Sequence, residues 1–149
     1  MVKDRLVAGA LAGIIGGTVQ YIYGTIIKAI GISGIAFKDF GEIIILSKDL
    51  KGLLSSIVGL IAHLTLAALF GVVFAFLIQQ TSRNYFWVKT VGFSLAVWFF
   101  PLAVGTIFKL PRFSTMKPHE SLLILLGALI YSFVTAYVLS LIESRSDLI

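Results

Sequence analysis

Gln20 and His63 are the residues whose chemistry fits least well with their surroundings. Gln20 interrupts an uncharged run from Leu6 to Ile27, and His63 is the one group titrating near neutrality inside any long apolar run. An amide offers donors and an acceptor, and a neutral imidazole offers one of each. Such groups either hydrogen-bond across helices or form a site for a small ligand, an ion or a proton. With a rise of 1.5 Å per residue, Gln20 lies about 20 Å from the side on which the chain starts, and His63 about 10 Å from the opposite side. In a layer about 30 Å thick these are nearly the same depth. Pro101 and Gly127 reach that level as well, and Pro101 has no N–H to offer the Val97 carbonyl, which leaves an acceptor open. The candidate polar site is therefore Gln20, His63, Val97 and Pro101, with Thr65, Tyr131 and Thr18 on neighbouring turns. A charge at such depth is expensive, so His63 is expected as a neutral imidazole whose donor and acceptor Gln20 could both answer.

Other chemistry is thinly represented. The chain has no Cys, which removes disulfides, thiolate ligands and thiol catalysis. No HExxH, GxSxG or Walker-type loop occurs, and no carboxylate pair lies inside an apolar run. His119 and Glu120 are adjacent, so in a helix they point apart, and an acid there suits a helix N-terminus. No metal site is expected from two distant histidines, and nothing implies a cofactor. The net charge of +5 comes from 12 Lys and Arg scattered through termini and connectors, without the aromatic-interleaved stripe of a nucleic-acid binder.

The elements that must position these residues are four apolar runs, 6–27, 53–80, 90–108 and 121–142. Each is long enough to cross the hydrocarbon layer as a helix, and none alternates as a barrel strand would. The first run exceeds a signal-peptide core in length and lacks a cleavage site, so it reads as a retained span. It carries Gly9, Gly13, Gly16, Gly17 and Gly24 on one helical face, a surface that lets another backbone approach closely. Between the first two runs, Asp39 and Glu42 resemble an N-terminal cap before Ile43-Ile44-Ile45-Leu46, which predicts a short interfacial helix. Tyr85, Phe86 and Trp87 suit a headgroup interface, and Pro118 suits the first turn of the fourth span. Five Lys or Arg lie on the terminal side against seven on the other, yet Lys3 and Arg5 directly precede the first span and favour cytoplasmic termini.

With 149 residues, 58% hydrophobic and only 13% charged against about a quarter in soluble domains, lipid is the expected solvent. The expectation is an all-α polytopic protein, one four-helix transmembrane domain over residues 1–149, multi-pass in the cell membrane. The glycine-rich Ala8-Gly9-Ala10-Leu11-Ala12-Gly13, the span holding His63 and Phe70-Gly71, and Leu95-Ala96-Val97-Trp98-Phe99-Phe100-Pro101 resemble small bacterial membrane proteins of the YqhR and YagU type. That resemblance implies the four-span arrangement and carries over no catalytic residue. Three functions stay open. A non-enzymatic subunit would act by interaction, as a homo-oligomer or beside a larger membrane partner. A small transporter, channel or ion-coupled binder would centre on Gln20 and His63. A membrane-embedded lipid-acting enzyme would need more converging polar groups than the runs supply.

Overall fold

The computed structural model of the protein describes residues 4–46 and 52–146, with the side chains of Arg145 and Ser146 left aside. Lys3, Lys48 and Lys51, which enter the charge count above, lie outside the described residues. Five helices follow one another: α1 (Arg5–Ala29), α2 (Phe37–Leu46), α3 (Leu53–Thr81), α4 (Phe86–Ile107) and α5 (Pro118–Ser146). Four of them, all but α2, are long and apolar enough to cross a membrane. The spans run a few residues past the charge-free runs, and α4 stops at Ile107 with Phe108 as its cap.

Helix ends are set by local chemistry. Asp4 caps α1 by accepting from the amides of Leu6 (2.7 Å) and Val7 (3.4 Å). At the other end Gly31, at φ 74°, lets Ile32 N–H return to the Ile27 carbonyl (3.1 Å), a left-handed termination that glycine makes cheap. Pro118 opens α5, and Glu120 reaches back to the Lys117 amide (3.0 Å), half of a capping box. Between α3 and α4 the chain reverses through Ser82 and Tyr85, both left-handed. There Lys89 Nζ donates to the carbonyls of Thr81 (2.9 Å) and Ser82 (2.8 Å), placing a cation on the C-terminus of α3.

α1 is the centre of the bundle, packed on α3 along one side and α5 along another, while α4 lies mainly against α5. The glycine face explains the closeness. A Cβ on Gly9 would meet the Gly71 carbonyl at 2.8 Å, and one on Gly13 would meet the Ala67 carbonyl carbon and Gly71 Cα, each at 3.0 Å. Gly16 faces Tyr131 and Thr135 of α5, and Gly17 faces Ala67. Gly24 meets Ala36 of the following connector instead of another span.

The short helix between spans 1 and 2 packs along α3, with Gly41 against Ala62 and the His63 amide, and Gly59 of α3 against Glu42 and the Lys38 carbonyl. Residues 59–63 lie about 9–15 Å along α3 from its start, so α2 reaches the level of His63. Asp39 does not cap a helix beginning after it, because α2 already begins at Phe37. Its carboxylate sits in the first turn, where it accepts from the Ala36 amide (2.7 Å) and Lys28 Nζ (2.7 Å) and faces Arg112 (3.8 Å). Ile43 is buried with Ile35, Phe40, Phe113 and Ile124, whereas Ile44 and Ile45 face outward.

Candidate functional site

Of the seven residues assigned to the polar site, five line one partly open pocket: Gln20 from α1, His63 from α3, Val97 and Pro101 from α4, and Tyr131 from α5. Phe37 and Phe40 of α2, with Leu66, Ala67 and Phe70 of α3, close the walls. Its volume is about 20 Å³. One ordered water needs about 10–15 Å³ on that scale, so a single small guest is the limit.

Thr65 is elsewhere. Two residues along a helix from His63 means a rotation of about 200°, which turns it to the outer face. There its hydroxyl donates to its own helix, to the Ile61 carbonyl (2.8 Å). Thr18 does the same toward Ile14 (2.8 Å). Gly127 lies at the expected level but packs against the Tyr23 ring, 3.2 Å from its would-be Cβ.

The expected Gln20–His63 pair takes a different form. His63 Nε2 lies 2.9 Å from the Gly17 carbonyl. A carbonyl only accepts, so this nitrogen carries the proton and donates. Tyr131 hydroxyl likewise donates to the Ala67 carbonyl (2.6 Å). Gln20 Nε2, in a residue only 5% exposed, has no hydrogen-bond partner among the described residues. The pocket thus places the buried, unpartnered Gln20 amide nitrogen near a His63 imidazole and a Tyr131 hydroxyl that are both engaged on backbone carbonyls.

Two ionic clusters bracket this layer, and neither was visible in the sequence. On the terminal side, buried Glu143 accepts from Arg5 (2.9 Å) and from Arg83, joining α5 to α1 and to the α3–α4 turn. On the other side, Asp39 joins α1, α2 and the α4–α5 connector through Lys28 and Arg112, and buried Glu42 accepts from Ser55. Glu120 adds the Gly34 amide (3.1 Å), pinning the start of α5 to the α1–α2 connector. These pairings span as many as 138 residues, so spacing along the chain carries no trace of them. His119 is exposed, and among the described residues no group of three metal-ligating side chains assembles.

No protein-family model matches the chain, and neither a curated protein nor a solved structure is similar to it.

Proposed function

We propose that the protein is a non-enzymatic membrane subunit that works through its outer surface, as a homo-oligomer or beside a larger membrane partner. The packing of the interior supports this best. The pocket beside Gln20 and His63 has room for about one water between mainly apolar walls, which gives a substrate of ordinary size no ready seat there. The outer surface is more accommodating. Apolar grooves of about 330 Å³ between α2 and α3 and about 510 Å³ between α1 and α3 share Ile61 and Thr65. Ala10, Ala62 and Ala68 floor them beside Leu6, Ile14 and Leu69, a relief suited to close packing of another apolar helix. The glycines of α1 are not available for that purpose, because α3, α5 and, at Gly24, the α1–α2 connector already cover them. In this reading the protein is multi-pass in the bacterial cell membrane with cytoplasmic termini, and its kinship with the YqhR and YagU type rests on the sequence features alone. A small ion-coupled binder is the second reading, favoured by the unengaged Gln20 amide beside His63.

The chain has no Cys, so single thiols report cleanly. Ile61→Cys in the grooves and Phe99→Cys on the outer face of α4 are compared by crosslinking in native membranes, followed by mass measurement in mild detergent. The expected result is a defined second copy or partner crosslinked at Ile61→Cys and not at Phe99→Cys. A monomer that crosslinks at neither position, and that conducts a pH-dependent flux in liposomes, would overturn the first reading in favour of the second.

A further inference from the structure

We infer that α2 is a lid over the pocket of Gln20, His63 and Tyr131, hinged at Gly31 and Gly52, with a second seat at the membrane interface. All five helices line that pocket, and α2, the one too short to span, supplies Phe37 and Phe40 to its walls. Phe37 also walls the second small cavity that Gln20 borders, beside Tyr23 and Gly127. Moving this one helix therefore uncovers the Gln20 side chain. While α2 is in place the Gln20 amide nitrogen is buried with no hydrogen-bond partner among the described residues, a cost that hydration in an open state removes.

α2 has the pattern of an interfacial helix and the burial of a core one. At 100° per residue, Lys38, Asp39 and Glu42 fall within about 100° of one another, with Phe37, Phe40 and Ile44 on the opposite side. Such a helix is stable at a membrane surface, its charges in water and its apolar side in lipid. Yet Asp39 is only 3% and Glu42 7% exposed, covered almost as fully as Phe40 at 3%. In this closed seat the charged side is held by polar latches, Asp39 to Lys28 Nζ (2.7 Å) and Glu42 to the Ser55 hydroxyl. The apolar side adds only packing, because lipid solvates Phe40 and Ile43 about as well as the bundle does. Hinges bracket the segment. Gly31 (φ 74°) and Gly52 (φ 130°) are the positive-φ glycines among the described residues, and there a Cβ on either would meet nothing within 4 Å. Neither is wedged by packing, so both can change backbone angles as α2 moves. The lid holds whether or not a partner fills the outer grooves.

The test uses the absence of Cys from the chain. Val97→Cys places a thiol in the pocket wall from α4, and Ser132→Cys places one that is as well buried, next to Tyr131 on α5 but outside the pocket lining. In native membranes the reaction with N-ethylmaleimide follows water access, since the thiolate is the reacting form. Breaking the latch with Lys28→Met is expected to raise the Val97→Cys rate about tenfold and to leave Ser132→Cys unchanged. Should Lys28→Met fail to fold, Asp39→Asn breaks the same latch from the other side. In the native protein, hydrogen exchange in lipid nanodiscs is expected to show the amides of 37–46 opening together, and faster than those of 59–67 in α3. Equal Val97→Cys rates with and without the latch, a parallel rise at Ser132→Cys, or α2 amides protected as well as those of α3 would each overturn the lid.

Discussion

The α1–α3 seam and the α3–α4 seam share a helix and are closed in opposite ways. Against α1, the glycines and alanines of α3 bring backbone onto backbone, and His63 adds a hydrogen bond to the Gly17 carbonyl. Against α4, the backbones stand apart and the gap is filled by rings. Phe74 lies 5.0 Å from Phe93 and 6.0 Å from Phe86, and Phe70 lies 5.9 Å from Phe100. Among the described residues, hydrogen bonding between α3 and α4 comes only from Lys89 at the turn. Without a hydrophobic driving force between helices in lipid, both seams depend on van der Waals fit, but the first is built of rigid parts and the second of side chains that can change rotamer. The lesson is one of tolerance: volume added to the first seam has nowhere to go, whereas volume removed from the second can be redistributed.

Gly13→Leu should therefore have the largest effect. Its Cβ alone would run into the Ala67 carbonyl, and neither helix can yield without dragging Gly9 and Gly17 out of register. Overpacking typically costs about 1–3 kcal/mol, and a backbone clash belongs at or beyond the top of that range. Thermal unfolding in detergent should show a large fall in Tm or a failure to assemble. An unchanged Tm would mean that the α1–α3 seam is as pliant as its neighbour, and the comparison would collapse.

Phe74→Leu tests the other side. Phe74 is fully buried among rings, yet the volume that leucine gives up leaves Phe86 and Phe93 room to close in, so the expected loss is about 1 kcal/mol. A loss matching that of Gly13→Leu in the same assay would show that the phenylalanine layer is as rigid as the glycine seam.

The difference between the seams was only half legible in the sequence. The spans were, since uncharged runs of this length have few other uses, and so was the glycine face, because helical spacing alone aligns it. That Gln20, His63 and Pro101 meet at one level of the bundle followed from counting residues. Thr65 was misplaced because depth was counted and rotation was not. Asp39 was taken as a cap where the chain uses it as a first-turn acid and a ligand of Lys28, a role that needs the fold to bring α1 back to α2. Phe37 and Phe40 were missed as cavity walls because the α1–α2 connector gave no sign that α2 would reach so far along α3.

His63→Leu should have the smallest effect, and the reason sharpens the comparison. The Gly17 carbonyl that His63 bonds is inside α1, where the N–H of Tyr21 supplies the ordinary helical bond, and a carbonyl has two lone pairs. Removing the imidazole therefore leaves no orphaned group on α1, only a lost second bond. Interhelical hydrogen bonds in membranes average about 0.6 kcal/mol, and leucine restores apolar contact with Leu66 and Ala67. A shift in Tm close to the error of the measurement is expected, with assembly intact. The Val97 carbonyl is the opposite case, because Pro101 has removed its ordinary helical donor. If His63→Leu instead unfolded the protein as Gly13→Leu is expected to, the α1–α3 seam would be held by its hydrogen bond and not by its fit, and the contrast with α3–α4 would have to be rebuilt on polar contacts.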